Sequence, residues 1–108
     1  MHAEERKRRK LEHAMRKDAR ARIRAQKWHD ACVSIAEAIR PGQPEQGTVR
    51  YEPRSADGWL RPVHKVMARK RGPPVQAKSF TFPEPADATE FETSCRMAYE
   101  EAISWLAS

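Results

Sequence analysis

The sequence has no long apolar run, and this absence excludes one class of protein. No stretch of its 108 residues approaches the roughly 20 consecutive apolar residues of a membrane-spanning helix. The mean hydropathy is −0.90, and the basic amino terminus is not followed by the apolar segment of a secretory signal peptide. We therefore expect no membrane span, no secretory signal and no membrane partner.

Residues suited to catalysis or metal binding are few and scattered. The four glycines do not form a phosphate-cradling pattern, and the four histidines do not cluster with the two cysteines. Cys32 and Cys95 lie on separate predicted helices, where we interpret them as buried free thiols, with a disulfide as the alternative. The carboxylate pairs, Glu90 with Glu92 and Glu100 with Glu101, fit a solvated helix face. We therefore predict no enzyme activity, no catalytic residue, no metal and no cofactor.

What the sequence does contain is charge, unevenly distributed. Residues 1–27 carry eleven Lys and Arg against four Asp and Glu, and residues 41–82 carry eight against three. Residues 83–108 reverse the balance, with one basic residue against six acidic ones. Positive charge concentrated in two segments attracts a polyanion and releases its counterions on binding. The sequence therefore points to nucleic acid as a partner.

The helical pattern divides the chain into an arm and a small domain. Residues 4–40 lack Pro and Gly and are rich in Ala, Arg, Lys and Glu, which favours a helix. The apolar stripe broadens only from Trp28 onward, so we expect residues 28–40 to pack on a core and residues 4–27 to project as a basic helix. We assign residues 1–40 to a basic arm, 41–47 to a linker and 48–108 to a domain.

Residues 48–108 predict three strands followed by a helix. Strands are expected over 48–52, 59–69 and 75–82, separated by the Asp57-Gly58 and Arg71-Gly72-Pro73-Pro74 turns. A closing helix is expected over 87–107. The predicted fold class is α+β, with a long N-terminal helix and a three-stranded antiparallel sheet packed on a C-terminal helix. A sheet covered by a helix on one face leaves its other face free.

Alternation along the strands predicts which cations occupy that free face. One side of the second strand carries Trp59, Arg61, Val63, Lys65, Met67 and Arg69, and the other carries Leu60, Pro62, His64, Val66 and Ala68. Arg50 of the first strand joins the cationic side, and Phe80 of the third is expected to pack under the helix. Such cations would meet phosphates, and Trp59 would lie against a sugar or base. The predicted nucleic-acid-binding residues are Arg6, Lys7, Arg8, Arg9, Lys10, Arg16, Arg20, Arg24, Lys27, Arg50, Trp59, Arg61, Lys65, Arg69, Lys70 and Arg71.

A family resemblance runs through the same segments. The carrying residues are Gly47-Thr48-Val49-Arg50, Asp57-Gly58-Trp59, Lys78-Ser79-Phe80 and, in the helix, Ala98, Tyr99 and Ala102. Residues 47–107 resemble the three-strand-plus-helix domain of apetala-two/ethylene-response transcription factors, and equally the arm-binding domain of tyrosine integrases. The resemblance implies that strand-borne Arg50, Trp59, Arg61 and Lys65 contact nucleic acid and that Phe80 and Ala98 pack.

Three functions remain open from the sequence. The first is a structural RNA-binding component of a large ribonucleoprotein, with a mitochondrial or other organellar ribosome favoured, rRNA preferred over DNA, and the acidic closing helix facing a protein neighbour. The second is a sequence-specific DNA-binding regulator or recombinase accessory domain. The third is a scaffold subunit of a protein assembly. The run Arg6 to Lys10 also fits a nuclear import signal, which leaves the nucleus as the alternative compartment.

Overall fold

The computed structural model describes residues 2–55 and 63–108 of the chain. Helix α1 spans His2–Ile39, strands β1, β2 and β3 span Gly47–Ser55, Val63–Lys70 and Gln76–Pro83, and helix α2 spans Ala88–Ala107. The three strands form one antiparallel sheet in the order β1-β2-β3. The predicted α+β class and element order are confirmed.

The chain divides into two units within α1, one that ends at Asp30 and one that runs from Ala31 to Ser108. In the first unit, every residue from 2 to 27 is exposed. The second unit includes the last residues of α1, because Cys32 and Ala36 are buried there. Helix α1 ends at Ile39, two residues before Pro41-Gly42, because proline lacks a backbone N–H and disfavours helical conformation in the residue before it.

Strand alternation places one face of the sheet in the core of the second unit. In β2 the buried residues are His64, Val66 and Ala68, and the residues between them are exposed or half-buried. In β1 the buried side chains are Val49 and Tyr51. The assignment of sides predicted for the described part of β2 and for β1 is therefore confirmed.

Gly47 begins β1 at a position where a larger residue does not fit. Gly47 pairs with Lys70, and a Cβ built on it would collide with the backbone carbonyl oxygen of Arg69. The backbone of β2 therefore occupies the space that a side chain at this position would need. The close approach requires a residue without a side chain.

Helix α2 covers the inner face of the sheet and begins with a reciprocal cap. Asp87 Oδ1 accepts a hydrogen bond from the Glu90 backbone N–H at 2.9 Å, and Glu90 Oε2 accepts one from the Ala86 N–H at 2.7 Å. The first bond satisfies a donor that the first helical turn leaves free, and the second ties Ala86, just before the cap, to the same turn. The side chains of α2 that complete the core are Phe91, Cys95, Ala98, Tyr99, Ala102 and Leu106.

Strand β3 contributes fewer buried side chains than β1 or β2. Phe82 is buried, and Phe80 is half-buried with its ring centroid 6.3 Å from that of Trp105 in α2. The expected packing of Phe80 under the helix is thus confirmed. Gln76, Ala77, Lys78 and Ser79 are all exposed, so the first half of β3 lies at the periphery of the domain.

Candidate nucleic-acid interface

The first unit presents a continuous cationic face on α1. Arg16, Arg20, Arg24 and Lys27 follow one another at steps of four, four and three residues, which return to nearly the same side of a helix. Arg9 lies two turns before Arg16 and extends this face toward the amino terminus. All five side chains are exposed. A groove of about 310 Å³ runs along part of this face and is lined by His13, Arg16, Lys17 and Arg20.

The run of cations from Arg6 to Lys10 does not lie on one side of α1. Arg6, Lys7, Arg8, Arg9 and Lys10 are consecutive and exposed. Consecutive residues of a helix differ by about 100° in direction, so these side chains surround the helix. They add positive charge to the segment but do not favour one side of the helix for a bound polyanion.

The open face of the sheet carries the second cationic group. Arg50 lies opposite Met67, and Thr48 lies opposite Arg69. The arginines are exposed, and Thr48 and Met67 are half-buried. The resulting shallow depression has a volume of about 460 Å³ and is lined by Thr48, Arg50, Glu52, Met67 and Arg69. The structure therefore brings together Arg50 and Arg69, which are nineteen positions apart in the sequence.

Lys65 belongs to the same face but is partly neutralised. Its Nζ lies 3.2 Å from Glu52 Oε2 on the neighbouring strand, and the two residues are register partners. An opposite charge at this distance reduces the attraction of Lys65 for a phosphate. Arg50 and Arg69 are therefore the stronger phosphate-contact candidates of this face.

Lys70 does not lie on the open face with its neighbour Arg69. Its Nζ donates a hydrogen bond to the backbone carbonyl oxygen of Ser108 at 3.2 Å and lies 4.7 Å from the Trp105 ring centroid. Lys70 thus sits at the carboxyl end of α2, where a cation stabilises the unpaired carbonyls. Strand alternation could have predicted that Lys70 lies on the side opposite Arg69, because consecutive strand residues face opposite sides.

Of the other predicted contact residues of the domain, Arg71 is described by the structure, and Trp59 and Arg61 are not. Arg71 is exposed in the turn that follows β2. Trp59 and Arg61, together with Pro62, lie outside the described residues. The expected contact of Trp59 with a base or sugar therefore stays a prediction.

A buried polar chain crosses the sheet, and the sequence patterns did not indicate it. The Tyr51 hydroxyl lies 2.7 Å from His64 Nδ1, and His64 Nε2 lies 3.3 Å from Glu84 Oε2. His64 is fully buried, with its ring stacked on Phe82 at 5.2 Å and edge-on to Phe91 at 5.3 Å. The hydrogen bond between Tyr51 and His64 satisfies polar atoms that would otherwise be costly to bury. Only the three-dimensional register brings its members together.

The two thiols lie in the core of the second unit. Cys32 and Cys95 are both buried and carry reduced thiols. Burial, and then the neighbouring Cys32, raises the pKa of the Cys95 thiol to about 12. A thiol with so high a pKa is a poor nucleophile at neutral pH. Across residues 2–55 and 63–108, no group of three His, Cys, Asp or Glu side chains is placed to hold a metal ion.

Neither helix of the described structure combines the length and apolar character needed to cross a membrane. The chain matches no protein-family model, and no curated protein or solved structure is significantly similar to it.

Proposed function

We propose that the protein binds nucleic acid through the cationic face of α1 and the open face of the sheet. The observation that carries the proposal is the placement of Arg50 and Arg69 around one depression on the sheet face that α2 leaves uncovered. Exposed arginines on a sheet face form charge-assisted hydrogen bonds with phosphate oxygens. The α1 cations supply a second, longer row of phosphate contacts.

The chemistry of the open face favours contact with the nucleic-acid backbone over base stacking. Within residues 2–55 and 63–108, the aromatic side chains of the sheet, Tyr51, Phe80 and Phe82, belong to the side that faces α2. The open face instead offers Arg50, Arg69, Thr48 and Ser79. Cations and hydroxyls suit phosphates and sugar hydroxyls, which position a protein without reading sequence.

This chemistry is typical of a structural RNA-binding component of a large ribonucleoprotein, and an organellar, mitochondrial ribosome is the assembly we favour. The chain is small, basic overall and largely exposed along residues 2–27 of α1. Helical segments of this kind lie along rRNA and gain most of their binding energy from phosphate neutralisation. The acidic helix α2 would face a protein neighbour in the same assembly.

A DNA-binding regulator is the second candidate, and the sheet itself favours it. The major groove of B-DNA accepts a two-stranded β-ribbon, and arginines read guanine edges there. Arg50 on β1 and Arg69 on β2 lie on adjacent strands of one face, so both could enter a groove together. The proposed likeness to apetala-two and integrase domains implies the same binding mode.

Purification of the native particle after ultraviolet cross-linking tests these proposals. We expect RNA fragments cross-linked to peptides that contain α1 or β2. Cross-links to a defined DNA sequence would move the assignment to the second candidate. Recovery of protein neighbours with no nucleic acid would contradict both and leave a scaffold role.

A further inference from the structure

Among residues 2–55 and 63–108, strand β3 has β2 as its neighbouring strand and forms an edge of the sheet. It pairs with β2 from Gln76 to Pro83, and it ends the strand order. One of its two rows of backbone N–H and C=O groups therefore faces away from β2. Such a row is a template for another strand.

The two sides of α2 differ in what lies beside them. On the side of Tyr99, the end of α1 packs against the helix, and the Tyr99 hydroxyl donates a hydrogen bond to the Ala36 carbonyl oxygen at 3.0 Å. On the side of β3, a groove of about 170 Å³ remains open between helix and strand. Its lining residues are Thr81, Phe82, Ser94, Met97, Ala98 and Glu101.

The groove has an apolar floor beside the free strand edge. Phe82 and Ala98 form the floor and are nearly fully buried, whereas Met97 is 57% exposed. A methionine side chain is flexible and apolar, so when it is exposed to this extent it can adapt its shape to a partner side chain and bury apolar surface against it. The groove is large enough for one or two aliphatic side chains of an extended segment.

The charge at the groove selects the partner. Glu101 lines it, and Glu90 and Glu100 are exposed on the same helix. The basic residue of α2, Arg96, is already paired with Glu92 at 2.8 Å. The α2 side of the groove is thus negative and is complementary to Lys or Arg side chains. On β3, the exposed Lys78 lies over the Phe80 ring, 5.3 Å from its centroid, so the acidic side chains of α2 are the groups that attract a cation.

We propose that an extended, basic segment of a protein neighbour binds this groove by adding a fourth strand to the edge of β3. Its backbone bonds with the free row of β3, one or two of its aliphatic side chains pack on Phe82 and Met97, and a Lys or Arg faces Glu101. This is recognition by strand addition, in which the backbone supplies affinity and alternate side chains supply specificity. The inference refines the proposed protein contact of α2 and does not depend on nucleic-acid binding.

Titration of the full-length, isotope-labelled protein with a blocked peptide tests the proposal by NMR. The probe is Lys-Thr-Val-Thr-Val-Thr-Lys, in which the Val and Lys side chains share one face of a strand. We expect saturable shifts of the amide signals of β3 and of the α2 residues beside the groove. Glu101→Lys should weaken binding at least about threefold, because it replaces attraction with repulsion.

Three controls separate strand addition from other modes. The same peptide methylated on alternate backbone nitrogens should lose binding, and the peptide with Glu at both ends should bind wild type more weakly than the Glu101→Lys variant. Arg96→Gln, on another side of α2, should leave affinity unchanged.

Shifts confined to the open face, equal binding of the methylated peptide, or no shifts would overturn the proposal. Concentration-dependent broadening of β3 signals without peptide would also overturn it, because a second copy would then occupy the edge.

Discussion

The Tyr51 hydroxyl lies 2.7 Å from His64 Nδ1 in the core between sheet and helix. Since His64 Nε2 is 3.3 Å from Glu84 Oε2, the imidazole connects β1 with the residue that follows β3. His64 is fully buried, whereas the Glu84 side chain is 28% exposed. A polar chain thus runs from the core to the surface across the strands whose outer face carries the cations.

Replacing the Tyr51 hydroxyl should measurably destabilise the fold. In Tyr51→Phe the buried ring nitrogen of His64 loses its 2.7 Å contact, so we expect the free energy of unfolding to fall by about 1–3 kcal/mol. Urea denaturation measures the change. Ser104→Ala, which removes an exposed hydroxyl from α2, is the matched control and should change stability by less than about 0.5 kcal/mol. Equal stability of Tyr51→Phe and wild type would contradict this account of the core.

The domain should lose stability in alkali, beginning with Cys95. Burial raises the pKa of this thiol to about 12, well above its ordinary value of about 8.5. Above the ordinary value the unfolded chain releases the proton while the folded chain retains it, so unfolding becomes easier as pH rises. Burial also raises the pKa of Tyr99 to about 12, which adds a second decline above about pH 10.

Urea midpoints measured across this pH range test the alkaline decline. Wild type should begin to lose stability near pH 9, and Cys95→Ala should begin only near pH 10, where Tyr99 takes over, both values being approximate. A Cys95→Ala variant whose decline begins together with that of wild type would show that the thiol is not the cause.

The adjacent cations Arg69 and Lys70 at the end of β2 should have different roles, Arg69 in nucleic-acid binding and Lys70 in stability. Lys70→Gln removes the contacts with Ser108 and Trp105, so we expect a stability loss of about 1 kcal/mol and unchanged affinity for a labelled RNA duplex. Arg69→Gln should leave stability nearly unchanged and lower the salt slope of binding by about one. Urea denaturation and fluorescence anisotropy provide the two measurements. The reverse pattern would place Lys70, and not Arg69, at the nucleic acid.

Gly47→Ala should disrupt the start of the sheet. The added methyl group would collide with the Arg69 carbonyl oxygen, so either the strands separate locally or the backbone shifts, at a cost of about 1–3 kcal/mol. Gly42→Ala is the control, because a Cβ at that position meets nothing within 4 Å. Thermal unfolding of both variants tests the prediction. Similar melting temperatures for the two would show that β1 can relax without loss.

The fold was predictable because apolar residues recur at helical spacing in the helices and alternate in the strands, and because prolines mark several element ends. The helical stripe from Trp28 to Ile39, the alternation of His64, Val66 and Ala68, and the prolines at 41, 73 and 74 each mark an element or its end. The sides of β1 and of the described part of β2 followed from this alternation, since a strand residue faces one side or the other. Strand ends shifted by one to several residues, because pairing and not local composition determines where a strand stops.

The sequence could not predict which side chains meet across strands. Tyr51 and His64, or Lys65 and Glu52, are brought together by the register, which depends on the turn between the strands. The helix-side contact of Lys70 similarly depends on where α2 ends relative to β2. Charge could be counted from the sequence, but its pairing and partial neutralisation required the structure.

The most direct test of the nucleic-acid proposal is the salt dependence of binding to a labelled RNA duplex between about 50 mM and 200 mM salt. The wild-type chain should lose affinity steeply over this range. The triple variant with Gln at positions 16, 20 and 24 should have a salt slope smaller by about two to three, whereas Arg96→Gln, whose cation is paired with Glu92, should keep the wild-type slope. An affinity that stays flat with salt, or a triple variant that behaves like wild type, would contradict the claim that these cations neutralise phosphates.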